Sequence, residues 1–217
     1  NRKAAALGLR ERNIEVQAVA CDVTDAQSVT DAFDRAGQAF GAPGILVNNA
    51  GQAESAPFHH TDPAMWQRMI AVNLTGTYLC CRAALPAMLQ AQRGRIVNIA
   101  STAGLKGYGY VAAYCAAKHG VVGLTRALAQ ETAMAGVTVN AVCPGYTDTD
   151  MVADSVARIS ARTGRSEAEA RATLAASNPQ GRLVTPQEVA ASVLFLCGDD
   201  AASINGQALA LSGGETP

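Results

Sequence analysis

A tyrosine and a lysine four positions apart are the side chains of this sequence best suited to acid–base chemistry. Tyr114 and Lys118 are separated by three small residues, and on a helix this spacing places both on one face. A free tyrosine has a pKa of roughly 10, too high for efficient proton transfer near neutral pH. A lysine ammonium a few ångströms away favours the phenolate, so we expect Lys118 to lower the pKa of Tyr114.

Ser101 is the third residue of this candidate group. It stands 13 residues before Tyr114, at the end of an apolar segment that we interpret as a buried strand. The chain between them contains Gly104, Gly107 and Gly109, which gives it enough flexibility to fold back. The Ser101 hydroxyl could then hold a substrate oxygen while Tyr114 gives or takes its proton.

These side chains must be positioned by alternating strands and helices. Apolar segments predict strands over 14–19, 45–47, 95–100, 137–142 and 207–211. Helical patterns lie between them: one begins at a capping box at Thr24, one runs from Asp62-Pro63 towards Gln92 with a kink near Pro86, and one covers 111–135. A second capping box, from Thr185 to Glu188, predicts the start of a further helix. The predicted fold is α/β, a doubly wound, Rossmann-like parallel sheet forming a single domain over 1–217.

Small and polar turns follow four of the predicted strands. They occupy 21–23, 48–51, 101–104 and 144–149. The carboxyl ends of parallel strands meet at one edge of the sheet, where ligands bind in folds of this class. The sequence therefore predicts a ligand site at that edge.

An ordered set of motifs resembles those of the classical short-chain dehydrogenase/reductase family. The set comprises Asn48-Asn49-Ala50-Gly51, Asn73 within Val72-Asn73-Leu74-Thr75-Gly76, Ser101, the Tyr114 and Lys118 pair, and Pro144-Gly145. Residues 97–101 and 118–123 further resemble those of 3-oxoacyl-thioester reductases and polyketide ketoreductases.

The resemblance implies a catalytic role for four residues. Tyr114 would be the general acid/base, and Ser101 would polarise the substrate carbonyl. Lys118 would lower the tyrosine pKa and hydrogen-bond the nicotinamide ribose, and Asn73 would hold a water that links Lys118 to solvent. The implied reaction is hydride transfer between a secondary alcohol and a ketone, for example a 3-oxoacyl/3-hydroxyacyl thioester.

The same resemblance implies NAD or NADP as cofactor, with no residue present that chooses between them. Asp22 and Val23 would flank the adenine, while Thr147 and Thr149 would contact the nicotinamide half. The further cofactor-lining residues would be Asn48, Ala50, Gly51, Tyr114, Lys118, Pro144 and Gly145.

The sequence departs from the family at its start. The family normally begins with a strand, a glycine-rich turn that carries the dinucleotide phosphates, and a helix, but the only early glycine here is Gly8. Without those elements the predicted strand over 14–19 would have no neighbour to pair with. We therefore expect a further βαβ portion upstream, on the order of 30–40 residues.

Residues 151–180 differ in composition from the rest of the chain. They are rich in Ala, Arg, Glu and Ser, and 166–169 predict a helix cap. This segment is either a solvated helical hairpin or, from its position after the 144–149 turn, a lid over the substrate. Its arginines leave a carrier-bound or CoA-bound substrate with phosphates open, although a solvated helix face is the preferred explanation.

Three other functions use comparable folds. A catalytically silent dinucleotide-sensing or scaffold protein tends to lose the Tyr and Lys pair, which is present here. An isomerase or epimerase usually carries a larger carboxyl-terminal substrate domain. A methyltransferase would leave Tyr114 and Lys118 unexplained.

Composition and charge exclude several partners. The chain has 217 residues, 49% hydrophobic and 16% charged, with a net charge of −1, so nothing indicates nucleic acid or a membrane as partner. The six cysteines form no CxxC pair and mostly lie in apolar runs, which predicts reduced thiols and a cytoplasmic location. His59-His60 has no ligand-spaced neighbour, so we expect no metal site. We expect a small-molecule substrate and, from the family resemblance, a homotetramer or homodimer formed through the two long helices.

Overall fold

Four parallel strands form the centre of the protein. The computed structural model describes residues 2–216, with side chains from residue 5 onwards. The strands are β1 (Ile45–Asn48), β2 (Gly94–Ile99), β3 (Val137–Pro144) and β4 (Ala208–Leu211), and they lie in that order across the sheet. Every adjacent pair is parallel, with Val47 opposite Val97 and Val97 opposite Asn140. The predicted parallel sheet is confirmed.

Helices cover both faces of this sheet because successive strand residues point to opposite sides. Ile96 and Val139 pack with Ala84 and Met88 of a helix on one face. Their neighbours Val97 and Val142 pack with Leu196 of a helix on the other face. All eight residues of β3 are buried, as expected for a strand covered on both sides. The predicted doubly wound α/β fold is therefore correct.

The amino-terminal helices are α1 (Arg2–Arg10) and α2 (Ala26–Phe40). The cap of α2 is Asp25, whose side chain accepts from the amide of Gln27, so the predicted cap at Thr24 is one residue too early. Val29 and Ala32 are buried in α2, while Phe40 is exposed.

The strand predicted over 14–19 is wrong. Residues 14–20 form neither strand nor helix, because within residues 2–216 no strand lies beside them to accept their backbone hydrogen bonds. The predicted burial of 45–47 is also incorrect: Ile45 and Val47 are 52% and 41% exposed, since no described strand pairs with the outer edge of β1. The upstream βαβ portion stays a prediction.

The helix predicted to begin at Asp62-Pro63 is interrupted by a π-helical turn. Asp62 caps α3 (Pro63–Ile70), and residues Ala71–Thr75 form the π turn before α4 (Gly76–Ala91). The helix continues through Pro86, so the irregularity lies ten or more residues before the position predicted for the kink. π turns inside α-helices occur frequently at functional sites, and this one contains Asn73.

The long helix α5 (Ala112–Thr132) packs closely on its surroundings at two glycines. A Cβ on Gly120 would lie 2.7 Å from Cδ2 of Leu74, and one on Gly104 would lie 2.7 Å from the carbonyl oxygen of Lys118. Gly104 thus allows the turn after β2 to press directly on α5. This close approach brings Ser101 to the face of α5 that contains Tyr114.

The remaining helices follow β3. They are α6 (Asp150–Thr163), α7 (Glu167–Ala175) and α8 (Pro186–Cys197), and α7 and α8 begin with the capping boxes predicted at Ser166 and Thr185. Helices α6 and α7 pack together through a cluster that contains Val152, Val156 and Leu174. Within residues 2–216 no helix is both long and apolar enough to cross a bilayer.

Candidate active site

A cavity of about 670 Å³ opens at the carboxyl edge of the sheet. Its walls come from the turns after β1, β2 and β3, from one face of α5, and from the α6–α7 hairpin. Three of the four turns predicted to converge on this edge do so. The turn at 21–23 does not line the cavity.

Tyr114, Lys118 and Ser101 meet in this cavity. Nζ of Lys118 lies 5.6 Å from the centre of the Tyr114 ring, as the four-residue spacing on α5 dictates. The Ser101 side chain contacts the phenol, and its Oγ also accepts a hydrogen bond of 3.1 Å from the amide of Ala103. That bond caps a short 3-10 turn at Thr102–Gly104 and holds the hydroxyl at the cavity wall.

Burial dominates the acid–base properties of the tyrosine. It raises the pKa of Tyr114 to about 12, and the contact with Ser101 lowers the pKa by a smaller amount. The pKa of Tyr114 is thus raised by burial, and the lowering expected from Lys118 stays a prediction. The physical reason is that burial destabilises the phenolate by more free energy than its contact with the Ser101 hydroxyl stabilises it. The phenol consequently stays protonated throughout the neutral range.

Lys118 is itself buried, with 4% of its surface exposed. Burial lowers the pKa of its ammonium to about 8, because a desolvated charge is unfavourable. Nζ donates one hydrogen bond of 2.8 Å to the carbonyl oxygen of Ile99, at the end of β2. An ammonium has three N–H donors, so two remain for groups in the cavity.

Asn73 is fully buried and holds the turn after β1 in place. Its Nδ2 donates to the carbonyl oxygens of Gln52 and Met69, both at 2.9 Å, and its Oδ1 accepts from the amide of Gln52 at 3.2 Å. A Cβ added to Gly51 would lie 3.0 Å from that Oδ1 and 3.7 Å from Nζ of Lys118. Asn73 and Lys118 thus approach the same side of Gly51.

Asn48 does not line the cavity, and its predicted contact with the cofactor stays untested. Its side chain points into the sheet, where Nδ2 donates at 2.8 Å to Oδ1 of Asn98, the residue opposite it in β2. Asn98 in turn donates at 2.9 Å to Oγ1 of Thr125 on α5. Asn48 thereby connects β1 to β2, and Asn98 connects β2 to α5.

Asp22, Val23 and Ala50 are also absent from the cavity wall. Asp22 is exposed and accepts hydrogen bonds from the amide and hydroxyl of Thr24. Val23 packs against Gly76, where a Cβ would lie 2.8 Å from its Cγ2. Both residues therefore have local structural roles in the described chain, and their predicted contact with adenine stays untested.

The turn after β3 lines the cavity as predicted, through Pro144, Gly145, Thr147 and Thr149. Thr147 Oγ1 donates to the carbonyl oxygen of Gly145 at 3.0 Å, and Thr149 Oγ1 donates to that of Thr147 at 3.2 Å. Because the Thr149 side chain is engaged there, it does not cap α6, whose first-turn amides are left without a side-chain acceptor.

Three tyrosines of the cavity wall, Tyr108, Tyr110 and Tyr146, are absent from the predicted site residues. Tyr108 and Tyr146 lie edge to face, with ring centres 6.4 Å apart. Tyr108 also contacts Glu215, 107 residues away. No spacing rule connects residues so distant in the chain, so only the fold could reveal this group.

The chain is similar to known dehydrogenases and reductases over nearly its whole length. A model of short-chain alcohol dehydrogenases described as enoyl-(acyl carrier protein) reductase matches residues 2–216. The cis-4-hydroxycyclohexanecarboxylate dehydrogenase of Sinomonas cyclohexanicum is 44% identical over 97% of this chain and 81% of the relative. The D-beta-hydroxybutyrate dehydrogenase of Cupriavidus necator is 40% identical over 89% of this chain and 75% of the relative.

The fold has a close counterpart among solved structures. A variant of actinorhodin polyketide ketoreductase, crystallised with NADPH, superimposes with a TM-score of 0.94 at 38% identity, over 99% of this chain and 83% of that protein. The chain belongs to the short-chain dehydrogenase/reductase family.

Proposed function

We propose that the protein interconverts a secondary alcohol and a ketone, using NAD or NADP. The observation that carries this proposal is the meeting of Ser101, Tyr114 and Lys118 in one cavity at the carboxyl edge of the sheet. The family matches support it, since the relatives are named as dehydrogenases and as a ketoreductase with NADPH.

Tyr114 is proposed as the proton donor for carbonyl reduction. Its high pKa keeps the phenol protonated near neutral pH, so the proton is available when the substrate oxygen gains charge. Ser101 holds that oxygen through its hydroxyl, which the cap of the 3-10 turn keeps at the cavity wall. A positively charged Lys118 beside the ring stabilises the phenolate that remains after the proton leaves.

The residues of the cavity fit the nicotinamide half of a dinucleotide. Lys118 retains two donors for ribose hydroxyls, and Gly51 leaves room beside it that a Cβ would fill. A bound nicotinamide dinucleotide would supply or accept the hydride.

Asn73 is proposed as a positioning residue. Its amide fixes the backbone of Gln52, and with it the turn that contains Gly51. Its Oδ1 faces the same side of Gly51 as Nζ of Lys118 does, which is the arrangement that a water between them would need. The proton lost by Tyr114 would be restored along this route.

The α6–α7 hairpin within 151–180 is proposed as the substrate lid. Its residues Met151, Ile159 and Leu174 line the cavity that contains Tyr114, so a substrate at the tyrosine would contact them. Two relatives are named for hydroxy-carboxylate substrates and one is a polyketide ketoreductase. A 3-oxoacyl thioester or a related ketone is the substrate class that we propose.

The proposal is tested by following the absorbance of NADH and NADPH with a panel of ketones that includes a 3-oxoacyl thioester. Tyr114→Phe should lower kcat by about 100-fold or more, because it removes the general acid. Tyr78→Phe, on the exposed part of α4, is the matched control and should leave kcat unchanged. Equal activity of Tyr114→Phe and the wild type, or failure to bind either dinucleotide, would refute the proposal.

A homotetramer or homodimer in the cytoplasm is also proposed. Leu194 and Phe195 of α8 and Leu209 of the edge strand β4 are exposed apolar residues, which supports association. The small residues Ala113 and Ala117 on α5 are buried within the chain itself, so they are not free for a partner. The six free cysteines support a reducing compartment. Light scattering of the purified protein would measure the assembly.

A further inference from the structure

Two arginines lie on the face of α6 that lines the cavity. Met151, Ser155, Arg158 and Arg162 follow one another at intervals of four, three and four residues, which is the spacing of a single helix face. All four line the cavity that contains Tyr114 and Ser101. Both arginines are exposed, and they lie on the wall of the cavity that contains the reacting groups.

Two other arginines of this region have acidic partners. Arg171 is paired with Asp148 at 2.6 Å and Arg182 with Glu188 at 2.7 Å. Among the ion pairs of the described residues, none involves Arg158 or Arg162. Arg158 donates a single hydrogen bond, from Nη2 to Oγ of Ser155 at 2.9 Å, which directs its side chain along the cavity-lining face.

The carboxylates near the cavity do not neutralise this pair. Glu54 lines the cavity but is bound to Nη2 of Arg68 at 2.9 Å. Glu215 lies behind the wall and is engaged by Lys106 at 3.0 Å. The lid side of the cavity thus has two positive charges without an acidic partner, and guanidinium groups bind carboxylate and phosphate oxygens with two donors each.

We propose that Arg158 and Arg162 form a subsite for an anionic group of the substrate, a carboxylate or a phosphate, remote from the carbonyl that is reduced. The inference rests on the proposed function, because it places the substrate's reacting end at Tyr114. It narrows the substrate class from ketones in general to ketones with an anionic end. The apolar lid residues Met151 and Ile159 would contact the part between the two ends.

The test compares matched substrates in the wild type and in the double variant Arg158→Gln/Arg162→Gln. One substrate pair is 4-oxocyclohexanecarboxylate and its uncharged primary amide. The second pair is a 3-oxoacyl coenzyme A and the same acyl group on N-acetylcysteamine, which lacks phosphates. Arg165→Gln, an arginine of the same region outside the cavity wall, is the control.

We expect the double variant to lower kcat/KM at least about tenfold for the anionic member of one pair, which equals about 1.4 kcal/mol. The uncharged member should change less than about twofold, and Arg165→Gln should behave as the wild type. A loss confined to the first pair identifies a carboxylate, and one confined to the second pair identifies phosphate. Equal effects on both members of each pair would overturn the subsite.

Binding measurements separate failure of the subsite from failure of the proposed function. Calorimetry with the carboxylate and its amide is performed on Tyr114→Phe, with and without the two arginine substitutions, so that no turnover is needed. A weaker carboxylate affinity alone supports the subsite even if no ketone is reduced. Weaker binding of NADH or NADPH instead would assign the arginines to the cofactor and overturn the inference.

Discussion

Tyr108 and Glu215 join the loop after β2 to the segment after β4 through a hydrogen bond of 2.6 Å from the phenol to Oε1 of the carboxylate. The same phenol oxygen lies 2.7 Å from Oγ1 of Thr102, and Lys106 reaches the carboxylate at 3.0 Å. Burial and the bond to Glu215 raise the pKa of Tyr108. This group closes one side of the cavity, so its integrity should affect both stability and substrate binding.

Tyr108→Phe should lower the free energy of unfolding by about 1–3 kcal/mol, because the buried carboxylate of Glu215 loses a hydrogen-bond donor. Urea denaturation measures the change. Tyr110→Phe, which alters a residue that is 70% exposed, should leave the unfolding midpoint where it is in the wild type. Coincident denaturation curves for Tyr108→Phe and the wild type would show that the bond contributes nothing.

Lys118 should lose its proton near pH 8 in the protein without cofactor. The chain contains only Lys3, Lys106 and Lys118, so NMR of protein labelled at the lysine side chains gives few signals, and Lys118→Met assigns the relevant one. Burial, which lowers the pKa to about 8, is the physical cause. A signal that titrates at the ordinary lysine value of roughly 10.4 would contradict the expectation.

The same shift predicts how stability changes with pH. The folded pKa of Lys118 is below the unfolded value of 10.5, so the unfolded chain binds more protons between about pH 8 and 10.5. The Lys118 contribution to stability therefore rises as pH increases through this window. Lys118→Met should raise the free energy of unfolding at pH 7 by about 2 kcal/mol, after allowing for the lost bond to Ile99. The advantage should shrink above pH 8, and a constant difference in urea denaturation across pH 7–10.5 would oppose this account.

Gly51→Ala should reduce kcat by about tenfold or more with little loss of stability. Its Cβ would press on Oδ1 of Asn73 and fill the side of the turn that Lys118 faces. Gly123→Ala is the matched control, because no atom lies within 4 Å of its Cβ position on α5. That variant should keep full activity and gain about 0.5–1 kcal/mol of stability from helix propensity. Steady-state kinetics and thermal denaturation are measured for both variants. A fully active Gly51→Ala would contradict the proposal that the space beside Gly51 is needed for activity.

Asn48→Ala should destabilise the fold without weakening dinucleotide binding. Oδ1 of the buried Asn98 loses its 2.8 Å donor, which costs about 1–3 kcal/mol. Asn49→Ala, at an exposed residue of the cavity wall, should leave the free energy of unfolding unchanged. Chemical denaturation and a dinucleotide titration test both statements. A large rise in the dinucleotide Kd for a folded Asn48→Ala would instead show that Asn48 takes part in cofactor binding.

The sequence predicts most elements of this fold because their signals are local. Apolar runs mark β2 and β3, Asp62 with Pro63 marks the start of α3, and Thr185 with Glu188 marks α8. Each depends on hydrogen bonds or side-chain faces within a few residues. The strand predicted over 14–19 fails for the converse reason, since a strand exists only where a neighbouring chain accepts its hydrogen bonds. The π turn at Ala71–Thr75 has no local signature that separates it from an ordinary helix.

The amino-acid sequence alone determined the acid–base group and the fold class, because a helix fixes Tyr114 and Lys118 on one face and the buried strand places Ser101 at the sheet edge. Tertiary structure decided everything that depends on burial and on contacts between distant residues. It directed the Asn48 side chain towards Asn98 of the neighbouring strand, raised the pKa of Tyr114 by desolvation, and brought Glu215 to Tyr108. It also placed Arg158 and Arg162 on the wall of the cavity that contains Tyr114, since only the packing of α6 against α7 decides which of its faces meets the site.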